Sequence, residues 1–210
     1  VPENEQSLTT IEQVDLAMKR AYEHTVGQIA VSQAYVNNID ATKPIHLGET
    51  GWSTVSTENF GAGGTQVADE YKQKAFYDAM RTLTNDFGAS LFFFQAFDEP
   101  WKGDPNNESH SEKHFGLIDI DCNVKYLMWD KIDTLNDLGL DRDCDAGFTK
   151  SFTDKETLIA TVLPPLNAPK NTGPVLGDGY SVFSTTLPDT LMANGWQGQA
   201  VEGGENVLSG

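Results

Sequence analysis

Two short apolar runs, each ending in acid and tryptophan, constrain this chain more than any other feature. The first is PIHLGETGWST, from Pro44 to Thr54; the second is ASLFFFQAFDEPWKGD, from Ala89 to Asp104. Between them lie a Gly/Ser/Thr-rich loop from Ser53 to Gly64 and a helical run over about Gln66 to Phe87. In that run Ala68, Tyr71, Ala75, Ala79, Met80 and Leu83 recur at three- and four-residue steps, and Gly88 ends it. Near-continuous apolar strands joined through a helix are parallel strands buried on both faces. Both runs carry their polar residues at the C-terminal end, where (β/α)8 barrels and open α/β sheets keep their sites.

The rest of the chain fits that frame in part. Ile11, Val14, Met18, Ala21 and Tyr22 predict a helix from Thr10 to Ile39, with Thr10 as a candidate cap. Asp98 to His114 reads as a polar loop, FGLIDID as a short strand or turn, and Tyr126 to Leu138 as a third amphipathic helix. After about Lys150 the composition shifts, and VLPPLNAPKNTGPVLGDG reads as a linker. The expected organisation is residues 1–145 as an α/β domain, 146–179 as a Pro/Gly-rich linker, and 180–210 as the start of a β-rich module.

Charge narrows the partners. With 31 acidic against 14 basic residues the formal net charge is -17, a field that repels phosphate backbones and anionic lipid. No apolar run approaches the roughly 18 residues of a membrane span. Neither nucleic acid nor membrane is an expected partner, whereas a neutral substrate would not be repelled.

The two strand ends carry the chemistry. Glu49 stands where the first strand runs out, with Trp52 close behind. Such a carboxylate can attack a sugar's anomeric carbon or stabilise positive charge there, and the indole can cover an apolar sugar face. Alternatively, Glu49 caps the following turn and Trp52 packs in the core. The second strand repeats the pattern with Asp98, Glu99, Trp101 and Lys102. Carboxylates and a lysine there can hydrogen-bond hydroxyls; the plainer alternative is a Glu99–Lys102 salt bridge. A non-catalytic sugar platform of Trp52, Trp101 and Trp196 is a third reading.

With ETGWST, FFFQAFDEPWK and SEKHFGLID in this order, the chain resembles the C-terminal half of a family 17 glycoside hydrolase over about Thr10 to Asp130. That family comprises β-1,3-glucanases and related glucanosyltransferases of the retaining (β/α)8 type. The resemblance implies that Glu49 is the nucleophile on the seventh barrel strand, with Trp52 in the same motif. It implies that Glu99 and Lys102, on the eighth strand, hydrogen-bond around the cleft, and that Glu112 joins that network. Many members read GWPS where this chain has Ser53. The family's general acid, on the fourth strand, has no counterpart here, and a full barrel takes about 250 residues. The expectation is therefore the C-terminal part of a barrel, a piece of a longer secreted or cell-surface enzyme acting on β-glucan and inactive alone. No cofactor is called for. Hydrolysis against transglycosylation, the exact glucan and the oligomeric state are left open.

Smaller motifs are weaker. DLGLDRDCDAG sets Asp141, Asp143 and Asp145 at alternate positions, but its glycine falls one place late for a calcium loop. His110 and His114 lie four apart without a third ligand, and GAGG lacks a preceding strand. Cys122 and Cys144 are either a disulfide or two buried thiols.

Overall fold

The computed structural model describes residues 1–56, 64–139, 144, 146–166, 198–201 and 205–208. The chain divides into two compact units, one reaching to Leu166 and one beginning at Asn167.

In the first unit α1 runs from Thr10 to Asp40. Thr9, rather than Thr10, caps it: its hydroxyl accepts from Glu12 N–H while the Glu12 carboxylate accepts from Thr9 N–H. β1 (Leu47–Gly51), α2 (Glu70–Phe87) and β2 (Leu91–Phe94) form a crossover unit, and β1 and β2 pair in parallel with Leu47 opposite Leu91 and Gly51 opposite Phe94. The parallel pairing expected from the apolar runs is present. α2 starts at Glu70, four residues later than the periodicity suggests, because Asp69 is extended and accepts from Lys72 N–H. Gly88 ends it at φ +64, where its N–H reaches Asn85 O and Thr84 O. Ile29 of α1 packs with Met80 and Leu83 of α2, and Leu47 and Leu91 close this core from the strands.

β3 (Asn123–Val124) pairs in parallel with β4 (Thr149–Lys150). The third helix expected over Tyr126 to Leu138 is divided: a 3-10 turn covers Tyr126–Lys131 and α3 covers Ile132–Asp137. A second core gathers Ile118, Val124, Cys144 and Phe148, with Phe97, Trp129 and Leu135 against it. The cysteine alternative resolves to a disulfide, Cys122–Cys144, with Cα atoms 5.8 Å apart.

The boundary expected after residue 145 falls inside this unit. Phe148, Leu158 and Val162 are buried, α4 (Lys155–Ile159) presents Leu158, and Lys72 Nζ donates to Leu163 O. The Pro-rich composition begins only after this packed stretch, so composition alone placed the change too early. In the second unit, β5 (Gly198–Val201) and β6 (Glu205–Leu208) form an antiparallel pair. The fold is a mixed helix and strand arrangement, and the described residues do not form a closed barrel. The Asp141–Asp145 turn, GAGG up to Gly63, Trp196 and most of the proposed β-rich module lie outside the described residues.

Candidate active site

The parallel pairing brings the two strand ends side by side. Gly51 lies against Phe94, so close that a Cβ there would sit 2.1 Å from Phe94 O. Only glycine permits this approach, which explains one of the two glycines flanking the glutamate. Glu49 is exposed on β1, two residues before that contact.

Trp52 turns inward. Its indole N–H donates to Val67 O at 2.8 Å, and its ring lies 5.0 Å from that of Phe76 on α2. One face is thus used for packing, as the plainer sequence alternative held. Trp101 differs: it is 64% exposed on the loop after β2. Beside it Lys102 Nζ lies 2.5 Å from Glu99 Oε2 and 4.1 Å from the centre of the Phe94 ring. The Glu99–Lys102 ion pair is therefore present, and it stands at the mouth of the loop with both side chains partly exposed. Glu112 is exposed on a 3-10 turn, Ser111–Lys113, which His110 caps by accepting from Glu112 N–H.

Asp98 is drawn into a buried hydrogen-bond network. It is buried, and its Oδ1 accepts from Gly116 N–H at 2.8 Å and from Lys125 Nζ at 2.7 Å. His114 Nδ1 lies 3.5 Å from the other oxygen, Oδ2. Burial pushes this carboxyl up; the His114 contact and the Lys125 charge outweigh it and hold the group below its ordinary range. The carboxylate is committed to the protein's interior. Nearby Glu70 accepts from Tyr126 N–H and Ser151 Oγ, yet burial dominates and raises its carboxyl. A cavity of about 410 Å³ opens here, lined by Thr54, Asp98, Pro100, Glu108, His114 and Lys125 among others.

Several residues that hold this arrangement escaped the sequence reading. Gln73, fully buried on α2, donates from Nε2 to Trp52 O at 3.0 Å and to Gly116 O at 3.2 Å. The Ser53 hydroxyl donates to Ser111 O at 2.8 Å. Lys125 lies in NVKYL, a run with no feature that marks a buried ammonium. No group of three or more His, Cys, Asp or Glu among the described residues is arranged to hold a metal ion. His114 turns its ring toward Asp98 and Glu108 O.

No family model matches the chain. It is 32% identical over 132 residues to a glucan 1,3-beta-glucosidase of Saccharomyces cerevisiae, covering 56% of this chain and 41% of that protein. It is 38% identical over 81 residues to a glucan 1,3-beta-glucosidase of Schizosaccharomyces pombe, covering 38% of this chain and 23% of that protein. Among solved structures it resembles an endo-laminarinase from Formosa, with a TM-score of 0.73 and 39% identity over 82% of this chain and 44% of that one. The chain thus spans less than half the length of these relatives, and within that span it is similar to β-1,3-glucanase-like glycoside hydrolases in both sequence and fold.

Proposed function

We propose that this chain is the C-terminal part of a (β/α)8 glycoside hydrolase that acts on β-1,3-glucan by a retaining mechanism. The observation that carries the reading is the side-by-side exit of two parallel strands. Glu49 is on one; Glu99, Lys102 and the exposed Trp101 are on the other, in a chain 39% identical to an endo-laminarinase.

In this reading Glu49 attacks the anomeric carbon and forms a glycosyl–enzyme bond, which water or a sugar hydroxyl then breaks. A retaining enzyme needs a second carboxyl about 5–5.5 Å from the nucleophile to protonate the leaving oxygen. We assign that group to a strand preceding those described here, and assign Glu99, Lys102 and Glu112 to hydrogen bonds with sugar hydroxyls. Trp101 supplies an apolar surface for a pyranose face. Trp52 shapes the turn and offers only the face that Phe76 leaves free.

The larger barrel has its own support. Among the described residues the parallel sheet holding Glu49 has two strands, far short of closure. Val31, Tyr35 and Ile39 are exposed on α1 at four-residue steps, and Phe92 is exposed on β2. Such apolar surface is what a barrel strand and its neighbouring helix would bury. The disulfide fits an extracellular or cell-surface site of action.

The test is laminarin cleavage by a polypeptide that includes this chain and its preceding barrel half. Glu49→Gln should lower kcat by about 10³–10⁴-fold while binding of laminari-oligosaccharides persists. If the variant cleaves as well as the parent, Glu49 is not the nucleophile. Strong cleavage by the 210 residues alone would refute the need for a second half.

A further inference from the structure

We infer that Lys125 is a positioning residue whose buried ammonium fixes the spacing between the three loops of the glucan site. This rests on the function proposed above, and it adds a residue that neither the motifs nor the strand ends point to.

Lys125 is 3% exposed and follows directly on β3. Its Nζ donates to Asp98 Oδ1 at 2.7 Å and to His114 O at 3.1 Å. The two acceptors lie on either side of the Ser111–Lys113 turn. Asp98 immediately precedes Glu99, and its own N–H is held by Ile118 O at 2.9 Å. His114 O also accepts from Thr54 N–H at 3.0 Å and Thr54 Oγ1 at 3.2 Å, so it anchors the loop that follows Glu49 and Trp52. The Ser111–Lys113 turn bearing Glu112 is tied in through Glu99 N–H, which donates to Lys113 O at 3.2 Å. One ammonium therefore lies where the loops of Glu49, Glu99 and Glu112 meet.

The chemistry explains why a charge occupies this point. A carbonyl and a carboxylate that both face one buried spot repel each other unless a donor stands between them. A lysine has three donors and no acceptor, so it can bridge both and keep a third direction open. Glu70 and Asp119 add negative potential nearby, which favours the ammonium that burial opposes. With Lys125 removed, Asp98 and His114 O lose their common donor, and the two loops are free to separate. An active site tolerates little of that, since a displacement of about 1 Å can cost about 100-fold in rate.

Two variants of the full chain test this, alone for exchange and joined to its preceding half for activity. Lys125→Met removes the donor; Lys125→Met/Asp98→Asn also removes the unpaired carboxylate and guards against misfolding. In the double variant the Thr54 and Glu99 amides should exchange at least about tenfold faster, while Met80 and Leu83 in α2 keep their protection. In the longer enzyme kcat on laminarin should fall about 100-fold with little change in KM. Unchanged exchange at Thr54 and Glu99, or an effect on KM alone, would overturn the assignment. So would a double variant that cannot fold, since the pair would then support the whole unit and not the loops. A parent enzyme that leaves laminarin uncut sinks the functional reading, and the exchange data still decide the role of Lys125.

Discussion

The flank around Asp98 and the flank around the second half of α1 are built to opposite standards. Around Asp98 side-chain bonds join segments far apart in the chain: Lys125 bridges Asp98 and His114 O, and Gln73 Nε2 joins Trp52 O to Gly116 O. The disulfide closes the same region. On α1, by contrast, Val31, Tyr35 and Ile39 are 70%, 69% and 74% exposed. The neighbouring parallel sheet has apolar residues on both faces and covers one of them, leaving Phe92 exposed. The difference is one of completeness. The Asp98 flank is cross-linked within the unit, whereas the α1 flank leaves an apolar stripe in water. Predictions that separate the two should show large costs on the first flank and small ones on the second.

The largest cost should come from Gly116→Ala. A Cβ there would lie 2.2 Å from Asp98 N and 2.4 Å from Phe97 C, both backbone atoms, and 2.6 Å from Asp98 Oδ1. Relief would require moving β2's exit and breaking the Gly116 N–H to Asp98 bond. A loss of about 4 kcal/mol is expected, read as a fall in the chemical denaturation midpoint. A variant as stable as the parent would show that the close approach of these segments is slack.

Next comes the acid response. The Asp98 carboxyl sits below its ordinary value of 3.8 because His114 and Lys125 outweigh burial. Its contribution to stability is therefore full above pH 3.8 and is lost as the pH falls through the lower folded value. Glu70 has the opposite sign: burial raises it above 4.5, so its contribution is full below 4.5 and declines as the pH rises through the raised value. Asp98→Asn should cost about 3 kcal/mol at neutral pH by stranding Lys125. That difference from the parent should shrink in strong acid, where the parent also loses the charge. Melting curves from pH 7 to pH 2.5 would check it; a cost independent of pH would mean that the pair does not titrate as described.

What the sequence made legible follows the same division. The β1–α2–β2 unit could be read because local signals agree: apolar runs of strand length, a helical period, and a glycine at the C-terminus of α2. The Glu99–Lys102 ion pair could be foreseen because the two residues stand three apart just after a strand. The Asp98 flank was opaque because its partners lie far apart in the chain. Lys125 is 27 residues from Asp98 and Gln73 is 43 from Gly116, and neither spacing leaves a local mark. Nothing beside Asp98 in sequence marks the lysine from which its carboxylate accepts. The end of the unit leaves little mark in sequence because only Leu158 and Val162 share a helical step and Phe148 stands well before them.

The smallest effect should come from the α1 stripe, and its smallness is the informative part. Val31→Gln, Tyr35→Gln and Ile39→Gln together alter side chains that the first unit leaves in water. In the 210-residue chain their combined effect on unfolding should stay within about 0.5 kcal/mol, as at ordinary surface sites, and self-association in sedimentation should fall. Joined to the preceding barrel half, the same substitutions would remove side chains that burial stabilises by about 1.5–3 kcal/mol each. The triple variant should then unfold much more easily than its parent, although nothing near Glu49 or Lys125 has changed. Equal small effects in both contexts would mean that nothing covers the stripe, and the one-sided character of the unit would need another explanation. A large loss already in the shorter chain would mean that these residues are packed in solution and that the two flanks are alike.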